Sequence, residues 1–175
     1  MARNHGPDGG PRLRLVTAPW SSLYDLPVDA IVEEQDRFRI LGLDGAFPDP
    51  VPDSYPRLIH DVDCETPASL GSLLHGGGRP LRLKAVLLDI DRGPHVELEH
   101  LRAIADRLCL LIDAGPIRRL GLPLLGCVHG DATPAVFASV FAPRLRATGL
   151  ETLYLLTGSN PDAVTLRELR TAFEP

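Results

Sequence analysis

From Leu81 to Phe173 strand-like apolar runs and amphipathic helical stretches alternate strictly. That order restricts the chain to a largely parallel sheet covered by helices. Ala85–Ile90 is an apolar run broken only by Asp89, as a central strand buried on both faces requires. After Gly93 and Pro94, residues Leu98, Leu101, Ile104, Ala105, Leu108, Leu111 and Ile112 recur at spacings of three and four, and Gly115 and Pro116 close the helix they define. Leu120–Leu125 is the next strand. Thr133 is an N-cap and Pro134 a first helical residue for a helix that places Val136, Phe137, Val140 and Phe141 on one face, and Pro143 is expected to kink or end it. Leu153–Thr157 is a last strand. Asn160, Pro161 and Asp162 then open a helix with Leu166, Leu169 and Phe173 on one stripe.

The first half is less regular. Residues 1–10 carry three glycines and no hydrophobic period and read as a disordered leader; residues 11–175 read as one domain. Leu13, Leu15 and Val16 suggest a strand, Val28–Val32 a buried one, and Arg37–Leu41 a half-exposed one. Pro48, Pro50, Pro52 and Pro56 make a loop of the stretch around them, and His75–Gly78 reads as a flexible turn. The expected fold class is α/β: a three-layer α/β/α arrangement with a mixed, mainly parallel central sheet. The strands near 28–32, 84–90, 120–125 and 152–157 are expected side by side in its middle.

Composition narrows the function classes. Of the 175 residues, 44% are hydrophobic and 23% charged, a globular balance. The net charge of −5 disfavours a nonspecific nucleic-acid binder, and no apolar run reaches the length of a membrane span. Cys64, Cys109 and Cys127 are odd in number and lack CxxC spacing, which argues against a disulfide framework and a structural zinc site and fits a reducing cytoplasm. Lys84 is the single lysine beside seventeen arginines, a bacterial style of composition. No cofactor and no metal are implied.

Several groupings are candidates for chemistry. Gly126, Cys127, Val128, His129 and Gly130 follow a strand and precede a doubly marked helix start. Glycines there allow φ > 0 and close backbone approach, and the helix N–H groups attract a phosphate or carboxylate. Asp131 opposes an anion unless it turns away to cap the helix, and an ordinary βα turn is the plain alternative. Cys127 with His129 as base is a nucleophile reading, set against a small residue lining a turn. His75–Gly78 resembles an oxyanion loop, but no G-x-S-x-G accompanies it. His60, Asp61, Asp63, Cys64 and Glu65 alternate in direction if extended, so a solvated acidic edge is the better reading than a metal site. Glu33 with Glu34, and Asp89 with Asp91, are general-base candidates at strand ends, where paired acids are usually exposed.

Three segments together resemble a divergent macro domain, the module known for binding ADP-ribose and related nucleotides. Val28-Asp-Ala-Ile-Val32 is similar to the first five positions of the family's VDAIVNAAN strand; Leu81–Pro94 resembles the strand leading into its TVGP-like turn; Leu120–Gly130 resembles IAFPAIGTGVYG, its phosphate-binding loop. The resemblance spans residues 12–172 and implies a ligand of the ADP-ribose kind over Gly126–Gly130, with Gln35 and Trp20 beside it. It departs where the family's asparagines are replaced by Glu33-Glu-Gln-Asp36 and where the glycine-rich loop that follows is absent. The adenine-binding aspartate is also missing at Thr17–Ser21, unless Asp25 replaces it. ADP-ribose hydrolysis therefore does not carry over with the fold. The alternatives are an interaction or structural domain with a vestigial pocket, acting as a homodimer, and a hydrolase with Glu33, Glu34 or Asp36 as base.

Overall fold

The computed structural model describes residues 13–19, 22, 25–38, 67–89, 91–157 and 162–174. Six strands, β1 (Arg14–Pro19), β2 (Ala30–Asp36), β3 (Ser72–Gly77), β4 (Leu81–Leu88), β5 (Arg119–Pro123) and β6 (Thr152–Thr157), form one sheet in the order β1-β6-β5-β2-β4-β3. All neighbours run parallel except β3 and β4, which pair antiparallel. The α/β class, the mixed and mainly parallel sheet and the central run β6-β5-β2-β4 are thus as the sequence indicates.

Three helices follow the second-half strands: α1 (Leu98–Ala114), α2 (Pro134–Arg146) and α3 (Ala163–Phe173). Their buried residues join Ala30 and Val32 of β2, Leu83, Ala85 and Leu87 of β4, and Leu153 and Leu155 of β6 in one core. The even-numbered positions of β2 therefore face the helices, as period-two alternation requires. Phe137 stacks on Phe141 at 4.6 Å between ring centroids and meets Phe173 at 6.3 Å, tying α2 to α3. On the opposite face Ala18, Ile31 and Leu156 form a smaller cluster with Leu26 and Val28.

Four local expectations are corrected. The strand of 28–32 starts at Ala30 and runs on to Asp36, because pairing with β4 continues as far as Leu88. Arg37 and Phe38 lie in a turn, not in a second strand; the rest of Arg37–Leu41 lies outside the described residues, as do the leader 1–10, the proline-rich stretch and the cluster His60–Glu65. His75, Gly76 and Gly77 end strand β3, and only Gly78 of that motif is in the turn to β4. A six-residue strand whose last two residues are glycines has little side-chain signal there, which hid it. Of the two outcomes expected at Pro143, a kink or an end, the end is not found, since α2 runs on through Arg146. It costs one helical N–H, but Val140, Phe141, Ala142 and Leu145 are buried around it and hold the helix in place. By contrast, Thr133 caps α2 by accepting from the Val136 N–H, and Asp162 caps α3 through the N–H groups of Val164 and Thr165.

Candidate functional site

At the carboxyl ends of the central strands, where ligands gather in parallel sheets, β2 ends in four consecutive buried polar residues: Glu33, Glu34, Gln35 and Asp36. The expectation that acids at strand ends are exposed fails here, and for Asp89 as well; Asp91 alone of those four acids is exposed. Most of these charges are answered locally. Glu33 accepts from Arg82 at 2.8 Å, and Asp36 accepts from the Phe38 N–H at 2.6 Å. Asp89 pairs with Arg37 at 2.9 Å and with Arg92 at 3.5 Å. Buried carboxylates so paired hold the end of the sheet together rather than offering a base to solvent.

Glu34 is different. Its side chain is 1% exposed and, by parity with Ala30 and Val32, points to the helix face. There Oε2 accepts the N–H of Gly126, the first residue of the candidate loop. Oε1 has no hydrogen-bond partner among the described residues and faces His129 Nδ1 at 3.6 Å. The structure thus brings Glu34 together with Gly126, Cys127 and His129 across some ninety positions of sequence.

The loop has the backbone its glycines suggest at one end and not at the other. Gly126 adopts φ 78°, the left-handed region, with the space of a Cβ bounded by Ala132 and Val96 at 3.1 and 3.2 Å. Gly130 is not among the positive-φ glycines; its requirement is space, since a Cβ there would lie 2.3 Å from Val96 Cγ2 and 2.6 Å from the Gly126 carbonyl oxygen. Asp131 does turn away from the loop, but not to cap α2, which Thr133 does. Its Oδ1 accepts from the Val96 N–H and its Oδ2 meets His95 Nδ1, both at 2.9 Å. The His95 ring and the Val96 N–H hold the Asp131 carboxyl below the usual carboxylate range, and Asp131 in turn raises His95. The N–H groups of Asp131 and Ala132 are taken by the carbonyls of Pro94 and Gly126, and that of Cys127 by Leu124. Among the described residues, the N–H groups of Val128 and Gly130 make no hydrogen bond. They are what the loop has to give a ligand.

Cys127 is not built as a nucleophile. Burial, then the Glu34 carboxylate, push its thiol up to about 12, so it stays protonated. Gln35 is buried beside Glu34 on β2 but on the opposite parity, so it faces away from the loop. Trp20 lies outside the described residues; Asp25 is exposed in a turn with its N–H on the Ser22 carbonyl. A groove of about 580 Å³ runs elsewhere, between α2 and α3, lined by Pro134, Ala138, Ala142, Arg146, Glu168 and Ala172 among others. It does not reach the loop: none of residues 126–131 lines it, and Glu34 lies at the loop and not on the groove. Sequence reasoning missed the Glu34–Gly126 contact and the Asp131–Val96 contact. The only prior signal for the first was the expected adjacency of the strands that carry them.

Comparison with solved structures decides the fold. A Trypanosoma brucei macrodomain in complex with ADP superposes with a TM-score of 0.63 at 16% identity, over 92% of this chain and 68% of that one. The macrodomain of Mycobacterium tuberculosis DarG gives 0.64 at 14% identity, over 86% and 100%. An Oceanobacillus iheyensis macrodomain with MES bound gives 0.65 at 12%, over 91% and 89%. The chain has the macrodomain fold. No protein-family model matches the sequence, and comparison with curated proteins gives no match. Within the macrodomain fold this chain is therefore a divergent case, similar in backbone and distant in sequence. Among the described residues, no helix is long and apolar enough to cross a membrane.

Proposed function

We propose that the protein is a binding module for a phosphate-bearing nucleotide derivative of the ADP-ribose kind, held over Gly126–Gly130. The observation that carries this reading is the pair of loop N–H groups, on Val128 and Gly130, that make no hydrogen bond among the described residues at the carboxyl end of the sheet. Oriented N–H groups ahead of a helix N-terminus favour an anion without a basic side chain, which suits a chain of net charge −5. The fold it shares with a macrodomain solved in complex with ADP supports the same reading. Cys127, Val128 and His129 would line the ligand with the two glycines; Gln35 and Trp20 have no such support from the described geometry. Cytoplasmic placement belongs to this reading, on the cysteine usage alone.

One observation favours a second reading. Glu34 already occupies the Gly126 N–H, so part of the loop's anion-binding capacity is used by the chain itself. A domain whose pocket had become vestigial, acting through an interface such as a homodimer, would look like this. A hydrolase has weaker support, because Glu33 and Asp36 are committed to partners and Glu34 is 1% exposed. A thermal-shift scan over a nucleotide panel separates the readings. At a hundred times its dissociation constant a ligand stabilises the native state by about 2.7 kcal/mol, and ADP-ribose is expected to produce such a shift. No shift with any nucleotide at millimolar concentration would leave the interaction reading in its place.

A further inference from the structure

We infer that Glu34 is a specificity-determining residue that makes the loop select singly charged phosphodiesters over terminal, doubly charged phosphates. The inference rests on the binding reading above and concerns the ligand's charge, which that reading leaves open.

Three observations lead to it. The Glu34 carboxylate is 1% exposed, so water does little to screen it. Its Oε2 is fixed on the Gly126 N–H, while Val128 and Gly130, two and four residues further along the same loop, have the N–H groups that make no hydrogen bond among the described residues. The other acids of this strand end have their own partners: Glu33 has Arg82, Asp89 has Arg37 and Arg92, and Asp36 has the Phe38 N–H. No arginine or lysine is paired with Glu34 among the described residues; the titratable groups against it are His129 and the Cys127 thiol. A phosphate on this loop therefore sits beside a fixed negative charge on the same short stretch of backbone.

Each further negative charge on the phosphate meets that carboxylate. At an effective dielectric of about 20, one extra unit charge within about 12 Å costs at least about 1.4 kcal/mol, a factor of ten in affinity. A phosphate inside a diester or a pyrophosphate linkage carries one charge and avoids the added cost, whereas a terminal phosphate carries up to two. The uncharged alternative at position 34 is an amide of the same shape, whose oxygen can still accept from the Gly126 N–H. The loop geometry can then persist while the repulsion goes.

The experiment uses ADP and its β-methyl ester, which differ at the terminal phosphate by one methyl group and one charge. Binding is measured by calorimetry at pH 8, where terminal phosphates are fully ionised and histidines are ordinarily neutral. The wild-type protein is expected to bind the ester about tenfold more tightly than ADP, and Glu34→Gln is expected to bring the ratio close to one by strengthening ADP binding. Equal affinities in the wild type, or an unchanged ratio in a folded Glu34→Gln protein, overturn the inference and leave the binding reading intact. Should Glu34→Gln not fold, Glu34→Ala takes its place, and equal affinities in the wild type overturn the inference without either variant. If neither ligand binds the wild type at millimolar concentration while ADP-ribose still shifts its melting, this inference falls and the binding reading stands; if ADP-ribose fails as well, both fall.

Discussion

Two carboxylates, Asp29 just before strand β2 and Glu34 near its other end, reach across to the backbone flanking β5. Asp29, just before β2, accepts the N–H groups of Arg118 and Arg119 at 3.0 and 2.8 Å and pairs with the Arg119 guanidinium at 2.7 Å. Glu34 accepts the Gly126 N–H beyond the other end of β5. The plan is the same at both ends: an acid on one strand satisfies amide donors where its neighbour starts or stops. The environments differ. Asp29 is partly exposed and meets an arginine, so its charge is answered twice over. Glu34 is buried and meets a histidine and a thiol. The amino end is a latch whose chemistry is complete, while the carboxyl end keeps a buried carboxyl group beside two N–H groups that make no hydrogen bond among the described residues.

The largest expected effect lies at the carboxyl end. Gly130→Ala places a Cβ 2.3 Å from Val96 and 2.6 Å from the Gly126 carbonyl, and one of these is backbone that cannot swing aside. Overpacking of this severity costs about 3 kcal/mol, which for a chain of this size lowers the melting temperature by roughly 10 °C. Calorimetry of the variant checks it. A drop of under about 2 °C would mean that the 126–131 loop yields easily, and the contrast between a rigid carboxyl end and a simple latch would lose its basis.

The next effect is at the latch. Asp29→Ala removes two backbone hydrogen bonds and an ion pair near the surface, worth about 1 to 2 kcal/mol together. The Arg119 hydrogen bond, then the backbone N–H groups, hold the Asp29 carboxyl below its ordinary value despite partial burial. A lowered carboxylate contributes stability that is complete above its unfolded value, about 3.9, and is lost as pH falls through the folded value. Urea unfolding of the wild type and Asp29→Ala should therefore differ at pH 7, and the difference should shrink on going below about pH 4. A gap independent of pH would assign the latch to packing alone.

Much of this architecture was legible in the sequence, and the reason is periodicity. Leu101, Ile104, Ala105, Leu108 and Ile112 form the buried stripe of α1 at the spacings that announced it. Thr133 and Asp162 sit at the caps their residue types favour. The carboxyl end of β2 was not legible, because Glu33-Glu-Gln-Asp36 contradicts every local rule for a buried strand. Tertiary partners override the rule: Arg82 for Glu33, the Gly126 N–H for Glu34. Gly130 was legible as a glycine but for the wrong reason, since its crowding by Val96 depends on a segment some thirty-four residues away.

The smallest effect comes from the clip that joins that segment to the loop. His95 and Asp131 are both exposed, and their contact is a single ion pair 2.9 Å long. Surface pairs of this kind contribute little and are screened by salt. His95→Gln is accordingly expected to lower the melting temperature by about 2 °C or less. The sign with pH follows from the shifts. Asp131 raises His95, so the pair's contribution is complete below the ordinary histidine value, about 6.5, and fades as pH rises through the raised folded value. At the acid side it is lost as pH falls through the lowered value of Asp131. The Asp131 contact with the Val96 N–H does not need a charged imidazole, so Asp131→Ala should still destabilise at pH 9, where His95→Gln should be silent. Melting curves of both variants at pH 5.5 and pH 9 make the test. If His95→Gln matters equally at the two pH values, the imidazole holds the loop by shape, and the clip belongs with the packing of Val96 against Gly130.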